Sequence, residues 1–381
     1  MKVDYIPVTE CFDIGTGKLN SNAAVDGGEY PFFTCSKEAS SIDKYAFDQE
    51  ALLLAGNNAQ GQYDVKYYNG KFNAYQRTYV LSLKLDSHSY SYFKYALQAQ
   101  LELLKASSKG SNTKYITMEI LGRVLLPVPC PSEQKRIAAI LDKADAIRQK
   151  RKQAIELADE FLRSVFLDMF GDPVTNPKGW EQVPLSTLSD KILNGTTPKG
   201  GSDVYVEKGI AFLRSQNVWK KRIDLDDIVY LDDETHAKMS KSSLKYKDIL
   251  ITKTGRINTE NSSLGRAAIY YGKDGEANIN GHVYLVRLKP YNLHEFIEFI
   301  LTTKEYRDHI RAICVGGIDK RQLNKNHIED FPIICPPNSE QQRFVKILHQ
   351  TQKALDNYRV QLVEAQNNFS ALTQKAFSGQ L

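Results

Sequence analysis

The sequence predicts an α+β chain built twice: two mixed α/β domains and two long helices, the helices pairing as an antiparallel coiled coil within a pseudo-twofold internal repeat. Three observations carry this. First, PCPSEQKRIAAIL (129–141) returns as PPNSEQQRFVKIL (336–348), 207 residues later, and the register runs without a gap from Gly110/Gly317 to Phe170/Phe377. A period that long lies far above those of solenoid repeats, so a domain plus a helix has been duplicated. Second, neither Pro nor Gly interrupts the segment after each motif until Gly171 and Gly379. Each segment is therefore about 39 residues of helix, roughly 58 Å at ~1.5 Å per residue. Third, both segments carry an apolar seam in one phase, with steps of three and four.

The elements follow in order. In the first copy YPFFTC (30–35), ALLLAG (51–56) and TYVLSLK (78–84) read as strands and YFKYALQAQLELLK (92–105) as a helix. In the second copy IAFLR (210–214), IVYLD (228–232), DILITKT (248–254), AAIYY (267–271) and VYLVRLK (283–289) read as strands, and 296–313 as one helix. GDPVTNPKGW (171–180) is a linker. The chain divides into a mixed domain (1–131), a long helix (132–171), a second mixed domain (172–338) and a second long helix (339–381). Ser132 and Ser339 are placed to accept a first-turn N–H, and Gln342 would complete a capping box. Glu133 and Glu340 suit the positive end of the helix dipole.

The seam of the second helix runs Phe344, Leu348, Thr351, Leu355, Tyr358, Leu362, Ala365, Phe369, Leu372, Ala376. That of the first runs Ile137, Leu141, Ala144, Arg148, Arg151, Ile155, Ala158, Leu162, Val165, Met169. Arg148 and Arg151 interrupt it within RQKRK (148–152). They are either stems covering apolar surface or a basic patch for DNA or an acidic partner. Ile140, Ile147, Phe161 and Phe166 widen the first stripe beyond what one partner helix needs.

Composition limits the function. Apolar residues are 42% and charged residues 25% of 381, a folded composition with no apolar run of membrane-spanning length. The N-terminus lacks the apolar core of a signal peptide. Five cysteines with no CxxC pair suit a reducing cytoplasm and argue against a zinc site. The net charge of +5 is spread thinly, so any basic surface must come from placement. No phosphate-binding GxxxxGK[ST], no GxGxxG, no HExxH, no GxSxG and no Asn/Asp-Pro-Pro-aromatic motif occurs. Two similar halves without a chemical constellation suit a paired binding device better than an enzyme.

The candidates for DNA contact sit in turns at matched places. GNNAQGQY (56–63) offers Asn57, Asn58 and Gln60, and its counterpart TKTGRINTENSSLGR (252–266) offers Lys253, Arg256 and Asn258. Asn and Gln can pair with adenine edges and Arg with guanine, although Gly/Asn loops are also simply turns. SNTKY (111–115) and IDKRQ (318–322) supply Lys114, Tyr115, Lys320 and Arg321, suited to phosphates. LRSQNVWKKR (213–222) adds Arg214, Gln216 and Asn217 beside Trp219 and three basic residues. Arg77 and His282 complete the set.

These features resemble the specificity subunit of type I restriction-modification systems. The resemblance is carried by P-x-P-SEQKRI (129–137) and PP-x-SEQQRF (336–344), each opening a long helix, and by the closing Phe170-Gly171 and Phe377-Ser378-Gly379. It covers essentially the whole chain. It implies two target recognition domains, each reading one half of a bipartite duplex target, with the paired helices as a ruler between them. It implies no catalysis by this chain and no cofactor in it. The partners it implies are double-stranded DNA, two methyltransferase subunits binding S-adenosylmethionine, and restriction subunits using ATP and magnesium; no membrane is involved. Two rival readings are a coiled-coil scaffold without DNA contact, and a metal-dependent nuclease using DLDD (224–227) or DDE (232–234).

Overall fold

The computed structural model describes residues 3–58, 61–257, 259, 261–317 and 320–381. The chain forms two compact units. One holds the chain up to Ile155 together with Asn357–Leu381, and the other is Glu156–Asp356. The long helices span Pro131–Phe170 and Asn338–Phe377, each of 40 residues and 207 positions apart. Each contributes one half to each unit.

The first unit is built on a six-stranded sheet. Its strands lie in the order Phe12–Thr16, Thr78–Leu83, Phe47–Ala55, Val65–Ala74, Tyr30–Phe33, Ser40–Ile42, antiparallel except for the pairing of Tyr30–Phe33 with Val65–Ala74. Leu52, Leu54 and Leu81 bury one face with Phe93, Ala96 and Leu97 of the helix Tyr90–Gln98, and Leu53, Phe72 and Val80 pack on the other face. The same core takes Ile137 and Leu141 from the start of the first long helix and Phe369, Leu372, Ala376 and Phe377 from the end of the second.

In the second unit the corresponding surface is split into two four-stranded sheets. Ser189–Asn194, Val283–Leu288, Ile249–Thr252 and Ala267–Ile269 are antiparallel neighbours. The other sheet orders Tyr205–Val206, Val229–Leu231, Ile210–Leu213 and Ala277–Ile279, its last pair parallel. An aromatic cluster joins the helix His294–Thr302 to both long helices: Phe344 lies 4.8 Å from Phe299, 5.3 Å from Phe166 and 5.8 Å from Phe170.

Within each unit the helix halves run antiparallel. Ile137, Leu141, Leu162, Phe344, Leu348, Leu355, Ala365 and Ala376 of the expected seams are buried. Arg148 pairs with Asp145 at 2.6 Å and lies 5.0 Å over the Phe369 ring; Arg151 lies 5.9 Å over Tyr358. Both arginines therefore lay their stems and charge across aromatic rings of the opposite helix.

Three sequence expectations need correction. The stretches 92–105 and 296–313 are each broken into two helices, Tyr90–Gln98 with Leu101–Ser107, and His294–Thr302 with Lys304–Ile313. Thr303, extended at ψ 159°, ends one helix, and its hydroxyl accepts from Tyr306 N to begin the next. The motif serines do not cap the long helices, because each helix starts one residue earlier and places the serine at its second position. The glutamine two places on ties the start instead. Gln134 Nε2 donates to Pro129 O and Gln341 Nε2 to Pro336 O, both at 2.8 Å, while Ser89 N donates to Gln134 Oε1. Finally, Val65–Ala74 forms a ten-residue strand despite its polar, glycine-bearing sequence.

Candidate nucleic-acid interface

In both units a loop leaves the end of a central strand and is met by the turn that precedes a short helix. Unit one places Asn57–Asn58 against Lys114–Tyr115, antiparallel, with Asn57 facing Tyr115 and Asn58 facing Lys114. Unit two places Thr254–Gly255 against Arg321–Gln322, which also pairs with Val315–Gly316. Two matched backbone bonds fix the meeting: Ile116 N donates to Gly56 O at 2.8 Å, and Leu323 N to Lys253 O at 2.9 Å. Two matched tyrosines brace it from beneath. Tyr79 Oη donates to Ile116 O at 2.8 Å and Tyr284 Oη to Leu323 O at 3.1 Å. Burial raises both phenol pKa values, which keeps them protonated as donors.

The glycines are needed for close approach. A Cβ on Gly56 would lie 2.4 Å from Arg77 O, and one on Gly255 2.3 Å from Leu264 N. A Cβ on Gly110, at φ +101°, would lie 2.1 Å from Thr113 O. The loop of unit two is tied further from within. Ser263 Oγ donates to Thr254 O at 2.7 Å, and Arg266 Nε donates to Ser262 O at 3.1 Å.

The structure brings most of the sequence-derived candidates together in these two places. Asn57, Asn58, Lys114 and Tyr115 share the first, and Lys114 packs with Lys105 against Gly61. Arg77 is exposed at its edge, its carbonyl receiving Gly56 N at 2.8 Å. Lys253, Arg256, Lys320 and Arg321 share the second, with Arg256 and Lys320 exposed. His282 joins them: its carbonyl accepts from Lys253 N at 2.8 Å, and its ring is exposed. Arg321 Nη1 reaches Cys314 O at 3.5 Å. Gln60 and Asn258 lie outside the described residues.

Arg214, Gln216 and Asn217 are placed differently: they join neither loop but bond to the 224–227 turn. Asn217 is 1% exposed; its amide donates to Asp224 O and accepts from Arg214 N. Arg214 meets the Asp227 carboxylate at 3.1 Å, and Gln216 donates to the same carboxylate. All three hold the 224–227 turn against its neighbouring strand, with Arg214 Nε buried there without a partner among the described residues. Of residues 224–227, one acidic candidate for metal, Asp224 enters these bonds through its backbone carbonyl and Asp227 through its carboxylate. Among the described residues no group of three or more His, Cys, Asp or Glu side chains is placed to hold a metal ion. No helix among them is long and apolar enough to cross a membrane.

Sequence reading missed the braces. Tyr79/Tyr284 and Asn73/Asn278 stand 205 residues apart, two fewer than the main offset. Asn73 and Asn278 are both buried, donating to Lys44 O and Met239 O and accepting from the next residue's N–H. Extending the repeat upstream of Gly110 with a two-residue shift would have found them.

Known proteins resemble this chain in sequence and in fold. Residues 2–157 and 177–365 match the family described as the type I restriction modification DNA specificity domain. The specificity subunit of the type I restriction enzyme EcoDI from Escherichia coli is 25% identical over 424 aligned positions, covering 100% of this chain and 89% of that protein. That of StySPI from Salmonella potsdam is 23% identical, covering 99% and 83%. In fold, the type I restriction-modification S subunit from M. genitalium superposes with a TM-score of 0.61 at 16% identity, covering 99% of this chain and 96% of that one. With two family regions spanning most of its length, the chain belongs to the type I restriction-modification DNA specificity family.

Proposed function

We propose that this chain reads a bipartite duplex target, one half with each mixed domain, and that its two long helices set the spacing between the halves. The observation that carries the reading is one frame bearing two unlike tips. The frame is the strand end, the paired turn and the bracing tyrosine, matched in both units. The tips differ: Asn57, Asn58, Lys114 and Tyr115 in one, Lys253, Arg256, Lys320 and Arg321 in the other. Asn and Gln present the donor–acceptor pair that matches adenine, Arg the fork that matches guanine, and Lys a point charge for phosphate. Like frames with unlike tips suit two different half-sites.

The chain itself performs no chemistry in this reading. It docks two methyltransferase subunits, and restriction subunits with them, in the cytoplasm. S-adenosylmethionine, ATP and magnesium belong to those partners. A scaffold without DNA contact would leave the matched tips without a use, and a nuclease would need carboxylates that are free, whereas that of Asp227 takes Arg214 and Gln216 and that of Asp224 takes Asp226 N and Arg222.

Deleting seven residues from each long helix (145–151 and 352–358) tests the spacing. Seven residues at ~1.5 Å remove about 10.5 Å, or roughly 3 bp at ~3.4 Å per pair, and leave each seam in phase. Methylome sequencing of a host carrying the shortened protein is expected to show both half-sites unchanged and the spacer shorter. Altered half-sites with an unaltered spacer would refute the ruler.

A further inference from the structure

We propose that the hairpin of the second unit, Val218–Trp219 paired with Arg222–Ile223, is a phosphate clamp: Lys220 and Arg222 at its tip grip the DNA backbone beside the half-site read by the neighbouring loop. This rests on the DNA reading above and assigns a ligand, phosphodiester oxygens, to residues outside both reading loops.

The hairpin is built as a rigid extension of the loop. Its two-residue turn places Lys221 at φ 57°, and Lys221 N donates to Ala267 O at 2.8 Å, fastening the tip to the strand that follows the loop. Arg266 lies 3.9 Å over the Trp219 ring, while its guanidinium donates to the carbonyls of Asn261 and Ser262 at the loop's base. Loop base, arginine and hairpin therefore form one stack, and a ligand held by the loop is held at a fixed distance from the tip.

The tip carries more cation than its surroundings answer. Lys220 is exposed and makes no ion pair among the described residues. Arg222, 5.3 Å from the Trp219 ring centroid, pairs with Asp224 at 3.5 Å. Of the acids nearby, Glu305 pairs with Arg163 and Glu298 accepts the N–H of Ile269, and Asp159 and Glu305 both act on Lys220. Desolvation first lowers the pKa of Lys220, with Asp159 and Glu305 pulling up and Arg307 pulling down, and desolvation, Arg307 and Arg222 lower that of Arg266. An arriving anion relieves such crowding. Asn217 and Arg214, a few residues back, are spent on internal bonds, so the segment's usable charge lies at the tip. Unit one has no described equivalent: 34–46 joins its corresponding strands, against 214–248 here.

The test uses the full chain. A pool of random-sequence duplexes is enriched on it, and binding of the selected duplex is titrated with NaCl for the parent, Lys220→Ala/Arg222→Ala, and Lys208→Ala as an exposed-lysine control. The double variant is expected to make the plot of log K against log[salt] shallower by about 1.8, at ~0.9 per phosphate contact, with the same enriched sequence and an unchanged slope in the control. Lys220→Gln alone is expected to give about half that change. A slope equal to the parent's overturns the clamp, and so does a changed base preference, which would make the hairpin a base reader. If the parent enriches no sequence, the DNA reading fails and the clamp with it.

Discussion

Phe344→Ala tests the coupling of the long helices to the second unit's core. Phe344 is fully buried, with four phenylalanine rings at 4.8 to 6.3 Å: Phe299, Phe166, Phe170 and Phe296. Two of these come from the other long helix and two from His294–Thr302. Truncation of a buried Phe costs about 3–5 kcal/mol, and the upper half of that range applies because rings anchored on two other helices cannot easily collapse into the void. With a urea m-value of about 2 kcal/mol/M the midpoint falls by roughly 2 M. The chain reports on this unit by itself, since both tryptophans, Trp180 and Trp219, lie in it. Trp180 donates from Nε1 to Phe170 O at 2.9 Å, one ring away from the mutated site. Tryptophan fluorescence followed through urea unfolding is therefore the assay. A midpoint lowered by less than about 0.5 M would mean that the Phe cluster does not join helices to domain, and the packing argument would fail.

Two further outcomes follow from the same contacts. Gln134→Ala strands Pro129 O and Ser89 N and is expected to cost about 2–4 kcal/mol, whereas Gln341→Ala, losing one half-buried bond to Pro336 O, costs about 1; equal losses in calorimetry would refute the unequal roles. Burial pushes Glu298 up to about 7 from 4.5, so across that window the folded state holds a proton the unfolded state has released, and stability falls as pH rises from about 4.5 to 7. Glu298→Gln keeps an acceptor for Ile269 N and is expected to abolish that fall, worth on the order of 3 kcal/mol; a parent-like pH profile in the variant would exclude Glu298 as its source.

What the sequence made legible was whatever periodicity or repetition encodes. The long helices and their seams were readable because nothing breaks them and because the same phase occurs twice. The two candidate loops were readable because their turns occupy matched places. The helix breaks were hidden because neither Ala99–Gln100 nor Thr303 is Gly or Pro; Thr303 acts through a hydroxyl that could equally have lain mid-helix. Val65–Ala74 was hidden because Asn69, Gly70 and Asn73 are poor strand formers, and pairing on both edges overrides their preference. Arg214, Gln216 and Asn217 look like base readers by type. Only the position of Asp224 and Asp227 shows that their bonds are already used.

The division of the helices explains part of the width of the first helix's apolar stripe, that carried by Phe166, while Ile147 and Phe161 stay exposed. Its start serves unit one through Ile137 and Leu141, and its end serves unit two through Leu162, Phe166 and Phe170. The second helix does the reverse, with Phe344 and Leu348 in unit two and Phe369, Leu372 and Ala376 in unit one. Each core is thus completed by the far end of the helix that follows the other repeat, and Phe166, which lies off the heptad seam, is needed because its target is a domain core rather than a single partner helix. Neither repeat buries its apolar surface with its own residues alone. The duplication therefore preserves the helix ends, where each repeat must fit the other, while leaving the loop tips at Asn57–Asn58 and Thr254–Gly255 free to diverge: packing ties the ends to a common shape, and the backbone bonds to Gly56 O and Lys253 O, with the tyrosines bracing them, hold the tips' frame without fixing their side chains.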